Sequence, residues 1–328
     1  MNERERDILK KILVDPFEIA YCPLPIFSAF PLSLMEKAEA RSKFQLPSDK
    51  KLLLFFGIIR PYKGLMNLIK AVGIYVLIRL FFNMFIISNE MAVLITSLGA
   101  LSMAAGVFLA IGQWDIKRLL AYHSISQMGY VILSMGIGMI LIARGSKPEI
   151  AALAIAGGLF HLINHAAFKS LLFLNAGAIE YRTGTRNLKE MGGLAGQMPA
   201  TSATSFIASM SISGIPPFNG FFSKLIIIIA AVMAKFYLLA LLAVIVSIIT
   251  LASFMKFQRY AFFNKTDDRN DRKIKEVPFP MLFSMIVLGI ICLLLSMLAL
   301  PGIRETILTP ATDILMDPSK YPSQITGI

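Results

Sequence analysis

Gly112-Gln113-Trp114-Asp115-Ile116-Lys117-Arg118-Leu119-Leu120-Ala121-Tyr122-His123 and Phe160-His161-Leu162-Ile163-Asn164-His165-Ala166-Ala167-Phe168-Lys169 hold every histidine of the chain. Both stretches open into or lie within strongly apolar sequence. His161, His165 and Lys169 follow i, i+4, i+8 spacing, so on a helix of about 3.6 residues per turn they form one polar stripe along an otherwise apolar rod. Ionisable groups at membrane depth are costly, and those that occur there commonly serve ion or proton traffic.

Composition agrees that the rod belongs in a bilayer. Apolar residues make up 56% of the 328 and charged ones 16%, and mean hydropathy is +0.69. An ordinary soluble domain holds roughly 45–50% apolar and about 25% charged residues. The net charge of +12 would suggest nucleic acid in a soluble protein. Here the basic residues cluster between apolar spans, so they read as topology signals and contacts to anionic lipid, with no nucleic-acid partner. Cys22 and Cys292 lie far apart and support neither a disulfide framework nor a zinc site. No cleavable signal peptide is expected, because the sequence from Met1 to Lys11 is charged throughout.

Residues 1–64 differ in kind from the rest, with scattered charges, prolines at Pro16, Pro23, Pro25, Pro31, Pro47 and Pro61, and one short apolar run, Leu52 to Ile59. That run is too short to cross a core that needs about 20 helical residues, and it reads as a buried strand before a turn at Arg60-Pro61-Tyr62-Lys63-Gly64. From residue 65 long apolar spans follow: Leu65 to Ile87, Met91 to Ile111, Leu119 to Ile142, Ile150 to Ile179, Pro199 to Ala234, Phe236 to Met255 and Pro278 to Leu300. The fifth carries Gly214-Ile215-Pro216-Pro217-Phe218-Asn219-Gly220 at its middle. Two adjacent prolines remove backbone donors and break it, and discontinuous spans of this kind frame ion sites in transporters. The expected fold is therefore all-α, a polytopic membrane helix bundle of about seven transmembrane helices with one discontinuous. It consists of a 65–328 transmembrane domain behind a short irregular non-membrane segment, 1–64.

Loop charges set the expected orientation. Counting from a cytoplasmic start, inside loops hold Lys117 and Arg118, then Arg182, Arg186 and Lys189, then Lys256, Arg259, Lys265, Arg269, Arg272, Lys273 and Lys275. Outside loops hold Arg144 and Lys147, and then Lys235. The bias predicts a multi-pass protein of the cell membrane with a cytoplasmic N-terminus and the C-terminus outside.

Three motifs in order carry a resemblance to a known family: Asp115-Ile116-Lys117-Arg118-Leu119-Leu120-Ala121-Tyr122-His123-Ser124-Ile125-Ser126-Gln127-Met128-Gly129-Tyr130, then His161-x3-His165-x3-Lys169-Ser170-Leu171-Leu172-Phe173-Leu174, then Gly214-Ile215-Pro216-Pro217-Phe218-Asn219-Gly220-Phe221-Phe222-Ser223-Lys224. With Lys70-Ala71-Val72-Gly73-Ile74-Tyr75-x3-Arg79, they resemble the antiporter-like membrane subunits of respiratory complex I, membrane-bound hydrogenases and multisubunit sodium/proton antiporters. The likeness runs from about Leu68 to the C-terminus and corresponds to the second half of the family's helices. It implies a proton or sodium path along Lys70, Lys117, His123, His161, His165, Lys169 and Lys224, framed by a helix break at Gly214, Pro216, Pro217 and Gly220. Its implied partners are other membrane subunits of a redox or antiporter complex, the lipid bilayer, and protons or sodium ions. The family's first half-channel has no counterpart in this sequence. Where it would stand, Leu46 to Leu65 resembles the strand, turn and helix start of GT-B glycosyltransferases. Arg60 and Lys63 fall at the positions that contact a sugar-nucleotide diphosphate there. A junction near Leu68-Ile69-Lys70-Ala71 is what a fusion would leave.

Each residue also has a plainer reading. Lys117 and Arg118 at a helix boundary suit positive-inside anchors, the histidine stripe suits hydrogen bonds bridging helices, and His123 near a helix start suits solvation. Zinc at His161 and His165 lacks a glutamate after the first histidine and a third ligand, so no metal is expected. No cofactor is expected either, since nicotinamide, flavin and iron–sulfur motifs are absent. Any oxidoreductase activity would then belong to a complex. Three functions stay open: an ion-translocating subunit, a truncated or chimeric structural membrane protein, and a membrane-tethered glycosyltransferase fragment.

Overall fold

The computed structural model describes residues 78, 81–82, 87–264 and 274–316. The glycosyltransferase-like segment and its expected strand, Lys70, Arg79 and most of the first expected span lie outside the described residues. Of that span, Ile78, Phe81 and Phe82 are helical.

Nine α-helices make up most of the described chain: α1 (Asn89–Ile111), α2 (Ile116–Ala143), α3 (Pro148–Thr183), α4 (Leu194–Gln197), α5 (Pro199–Ser213), α6 (Asn219–Met233), α7 (Tyr237–Gln258), α8 (Phe279–Leu294) and α9 (Pro301–Met316). Helices α1, α2, α3, α7 and α8, the last two with their short extensions, are long and apolar enough to cross a bilayer. Their starts follow local chemistry. Ser88 caps α1 by accepting the Met91 amide, and Asp115 caps α2 by accepting the Arg118 amide at 2.9 Å. The α2 cap moves that helix start three residues ahead of the expected Leu119, which places His123 in its third turn rather than at its edge. Helix α3 begins with Pro148 and runs 36 residues, about 54 Å at ~1.5 Å per residue, so it overreaches a core of about 30 Å.

The fifth expected span is two helices of 15 residues each, α5 and α6. Gly214 ends α5 at φ +77°, and Pro216 and Pro217 follow. Each half is about 22 Å long, too short to cross alone. Helix α9 was not expected. Its 16 residues include Pro310, Arg304 and Glu305. Leu308 and Leu315 bury it, Leu308 against Phe160 and Leu298, Leu315 in a cluster with Ile155 and Met128.

Helices α1 and α2 run back to back at very short range, because a Cβ added at Gly129 would stand 2.4 Å from the Met103 nitrogen. Small residues at such interfaces let membrane helices approach where the hydrophobic effect cannot drive them together. Apolar side chains line the outer faces: Leu98 and Phe108 on α1, Leu238 and Ile248 on α7 and Phe283 on α8 are all exposed. In water such a surface would be a liability, whereas against acyl chains it is the matched one.

One end of the bundle gathers the basic loops. The 185–188 loop pairs with the start of α2, the Ile116 amide bonding Arg186 and the Leu188 amide bonding Trp114. Lys256 donates to the carbonyls of Ile111 and Gln113 at 2.6 and 2.7 Å, and it and Lys189 stand over the Trp114 ring at 4.7 and 4.6 Å.

Candidate functional site

The interior of this bundle is polar where membrane proteins are normally apolar. His123, His161, His165, Lys169 and Lys224 are all buried. Three elements supply them: α2 carries His123, α3 the two other histidines and Lys169, and α6 carries Lys224 one turn beyond the break.

His161 stands at the crossing of α2, α3 and α6. Its Nδ1 lies 2.9 Å from Ser223 Oγ and its Nε2 lies 3.2 Å from Gln127 Oε1. Tyr130, one turn along α2 from Gln127, has its ring 5.5 Å from that of His161 and donates its hydroxyl to the Ala243 carbonyl of α7. Over the same tyrosine ring, at 4.9 Å, sits Lys224 Nζ. The Tyr130 ring thus borders both the histidine and the lysine. Lys224 donates to the Ile212 carbonyl at 2.8 Å and to Ser247 Oγ at 3.3 Å. The Ile212 carbonyl belongs to the last turn of α5, whose carbonyls have no intrahelical partner once the helix stops. Breaking the helix therefore creates the acceptor that holds the amine.

The break is fixed by two close contacts. Asn164 of α3 donates to the Asn219 carbonyl at 2.9 Å, and Asn219 donates back to Asn164 Oδ1 at 3.1 Å while accepting the Gly220 amide at 2.9 Å. Gly220 presses on the preceding half-helix, where an added Cβ would meet the Ser211 carbonyl oxygen at 1.8 Å. Only glycine fits this approach.

Further along, His123 bonds Ser253 of α7 through Nε2 at 2.8 Å and packs on Phe254. It is fully buried, so the plainer reading of a solvated residue does not hold. Lys169 donates to the Leu120 carbonyl and lies 5.3 Å from the Phe173 ring centroid. His161, His165 and Lys169 lie on one buried side of α3; His161 and Lys169 contact α2, His161 also reaches α6, and His165 packs edge-on against Phe168. Lys117 is set apart from them. It ion-pairs with Glu180 at the basic end, where Arg186 joins the same carboxylate at 3.2 Å, and its side chain keeps 22% exposure. In the loop between α3 and α4, outside the spans, hydrogen bonds from Thr185 first and Asn187 second hold the Glu190 carboxyl below its ordinary range.

Sequence reasoning passed over Gln127, Tyr130, Asn164, Ser223 and Glu180. A signal for the first two existed: His123, Gln127 and Tyr130 follow i, i+4, i+7, a second polar stripe that the motif contains. Nothing local tied Glu180 to Lys117, which lies 63 positions earlier.

Comparison with known proteins agrees with this architecture. A family model described as NADH:quinone oxidoreductase/Mrp antiporter, TM, matches residues 61–250. A Na(+)/H(+) antiporter subunit of Alkalihalophilus pseudofirmus is 34% identical over 280 residues, covering 82% of this chain and 53% of that protein. Among solved structures, a chain of the Mrp complex from Dietzia sp. DQ12-45-1b is 27% identical with a TM-score of 0.66, covering 76% of this chain and 52% of its own. A chain of respiratory complex I from Thermus thermophilus is 25% identical with a TM-score of 0.62, covering 78% and 52%. The chain spans about half the length of these relatives.

Proposed function

The chain belongs to the NADH:quinone oxidoreductase/Mrp antiporter transmembrane family, and from that premise we propose that it works as a proton- or sodium-translocating membrane subunit of a larger redox or antiporter complex. Lys224 carries the reading. It is 2% exposed, it stands at a helix break, and among the described residues it is held by a carbonyl and a hydroxyl with no carboxylate in ion-pair range. A permanent ammonium in such a place is expensive, so the position suits a group that takes up and gives up a proton in turn. His161, with a ring nitrogen on Ser223 and the other on Gln127, is the neighbour with which it exchanges beside Tyr130. His165, Lys169 and His123 extend the polar interior toward the basic end, and Lys117 with Glu180 and Arg186 forms its charged rim. Lys70 is assigned to the same path from the motif alone.

The cell membrane is the proposed location, with the basic end in the cytoplasm. The gathering of Lys117, Arg182, Arg186, Lys189 and Lys256 at one end supports this orientation, as does the sparser charge of Arg144, Lys147 and Lys235 in the loops at the other. The membrane domain is taken to run over 65–328, consistent with a family match that begins at residue 61. Residues 1–64 are taken as a separate segment. Other membrane subunits of the complex, lipid and the transported ion are the partners.

The decisive experiment is translocation by the assembled complex in proteoliposomes with Lys224→Ala. Loss of pumping in an intact complex is expected, and unchanged pumping would sink the proposal. A second reading is a structural membrane protein with no transport of its own, its buried histidines and lysines serving as hydrogen bonds that bridge helices. Absence of the chain from any purified redox or antiporter complex would favour it.

A further inference from the structure

Helices α5 and α7 share a polar seam that the Lys224–Tyr130–His161 arrangement does not use. Thr201, Ser205, Ser209 and Ser213 recur at i, i+4, i+8, i+12 along α5, and each is 1% exposed or less. Gln258 of α7 reaches across with its amide nitrogen, donating to Ser205 Oγ at 3.0 Å and to Ser209 Oγ at 2.7 Å. The seam has two defined ends. At the basic end, Glu276 closes it: the carboxylate accepts the amides of Ala200 and Thr201 at 3.0 and 3.2 Å and the Thr201 hydroxyl, capping α5 from outside. At the other end Ser247 donates to the Ser213 carbonyl at 2.8 Å and itself receives Lys224 Nζ.

A purely structural cross-link would satisfy its own polar atoms, and this one does not. Gln258 Oε1, buried at the centre of the cross-link, has no hydrogen-bond partner among the described residues. Buried polar atoms left over in this way are satisfied by internal water, which takes two to four partners from such groups. From Thr201 to Ser213 the hydroxylated face covers about 18 Å at ~1.5 Å per residue, reaching from the end of the bundle to the helix break.

We propose that the α5–α7 seam is a second, water-carrying branch joining Lys224 to the end of the bundle at Glu276, with Gln258 as its positioning residue. Water is the carrier. A proton leaving the Lys224 ammonium passes to a water oxygen, and that water releases a different proton to the next. Nζ becomes the neutral amine, one proton emerges at the far end, and no hydroxyl or amide of the seam changes charge. Gln258 and the serines hold the waters in line, while the apolar walls around them exclude ions that cannot move by this relay. The branch rests on the assignment of Lys224 as an exchanging group, and gives that group access to the basic side without passing through the histidines.

The test uses the assembled complex in proteoliposomes, with pH varied on one side of the membrane at a time. Gln258→Leu keeps the volume and removes both polar atoms. Expected is a fall of about tenfold in translocation, together with loss of the rate's response to pH on the Glu276 side and a retained response to pH on the other. A structural role alone would lower both responses together, which overturns the branch, as does full activity of Gln258→Leu beside an inactive Lys224→Ala. Full activity of Lys224→Ala overturns the underlying assignment instead. Should Gln258→Leu fail to assemble, the double variant Ser205→Ala, Ser209→Ala removes only two hydroxyl oxygens and gives the same one-sided readout.

Discussion

Gly220→Ala is the sharpest test of how the helix break positions Lys224. The new Cβ would stand 1.8 Å from the Ser211 carbonyl oxygen and 2.8 Å from its carbonyl carbon. Carbon and oxygen in contact need about 3.3 Å, so α5 and α6 must part by about 1.5 Å. Both atoms met are backbone, and no side-chain rotation relieves them. Ile212 follows Ser211 directly, so its carbonyl moves with the same segment. The Lys224 Nζ to Ile212 bond, 2.8 Å in the structure, then stretches past the roughly 3.5 Å at which a hydrogen bond is lost. Overpacking costs about 1–3 kcal/mol, and a buried polar group left without its partner costs about 1–3 more. The variant should therefore lose about 2–6 kcal/mol in SDS-induced unfolding from mixed micelles. It should also lose translocation in the assembled complex even where it still folds. A variant within about 1 kcal/mol of the parent and fully active would refute the argument, because the close approach would then not be what fixes the lysine.

Asn164→Leu leaves Asn219 of the break without its side-chain partner, and should cost about 1–3 kcal/mol in the same unfolding assay. Asn164→Asp, which keeps the acceptor but not the donor, should fall between it and the parent. Glu180→Gln breaks the ion pairs to Lys117 and Arg186; these are part-exposed, so stability should change by less than about 1 kcal/mol. A larger loss would place the pair deeper than described. Gly129→Leu forces α1 from α2 at Met103, and should prevent accumulation of the folded protein in membranes, as judged by size-exclusion of the detergent extract. Glu190, with its carboxyl held below the ordinary 4.5, stabilises the loop after α3 fully above that value. The contribution is lost as pH falls through the lowered one. Amide exchange at Asn187 should quicken in that acidic window in the parent and show no such step in Glu190→Gln.

Much of this protein was written into its sequence. The apolar run lengths placed α1, α2, α3, α7 and α8 to within a few residues, because in a bilayer every span must satisfy its own backbone and only a long apolar helix does so. The paired Pro216 and Pro217 announced the break, since ring geometry removes donors wherever it occurs. The i, i+4, i+8 spacing of His161, His165 and Lys169 fixed them to one face for the same local reason. Helix α9 escaped notice because its Pro310 reads as a stop and its mixed polarity fits no span; it is held by Leu308 and Leu315 against other helices. Partners were a tertiary matter throughout. Ser253 lies 130 positions from His123, and Ala243 lies 113 from Tyr130. Nothing in the local pattern says that Lys224 will meet the carbonyl of Ile212, or that Gln258 will bridge Ser205 and Ser209. Periodicity decides which face a polar group occupies, whereas its partner depends on how distant helices cross, and only the packed bundle determines that.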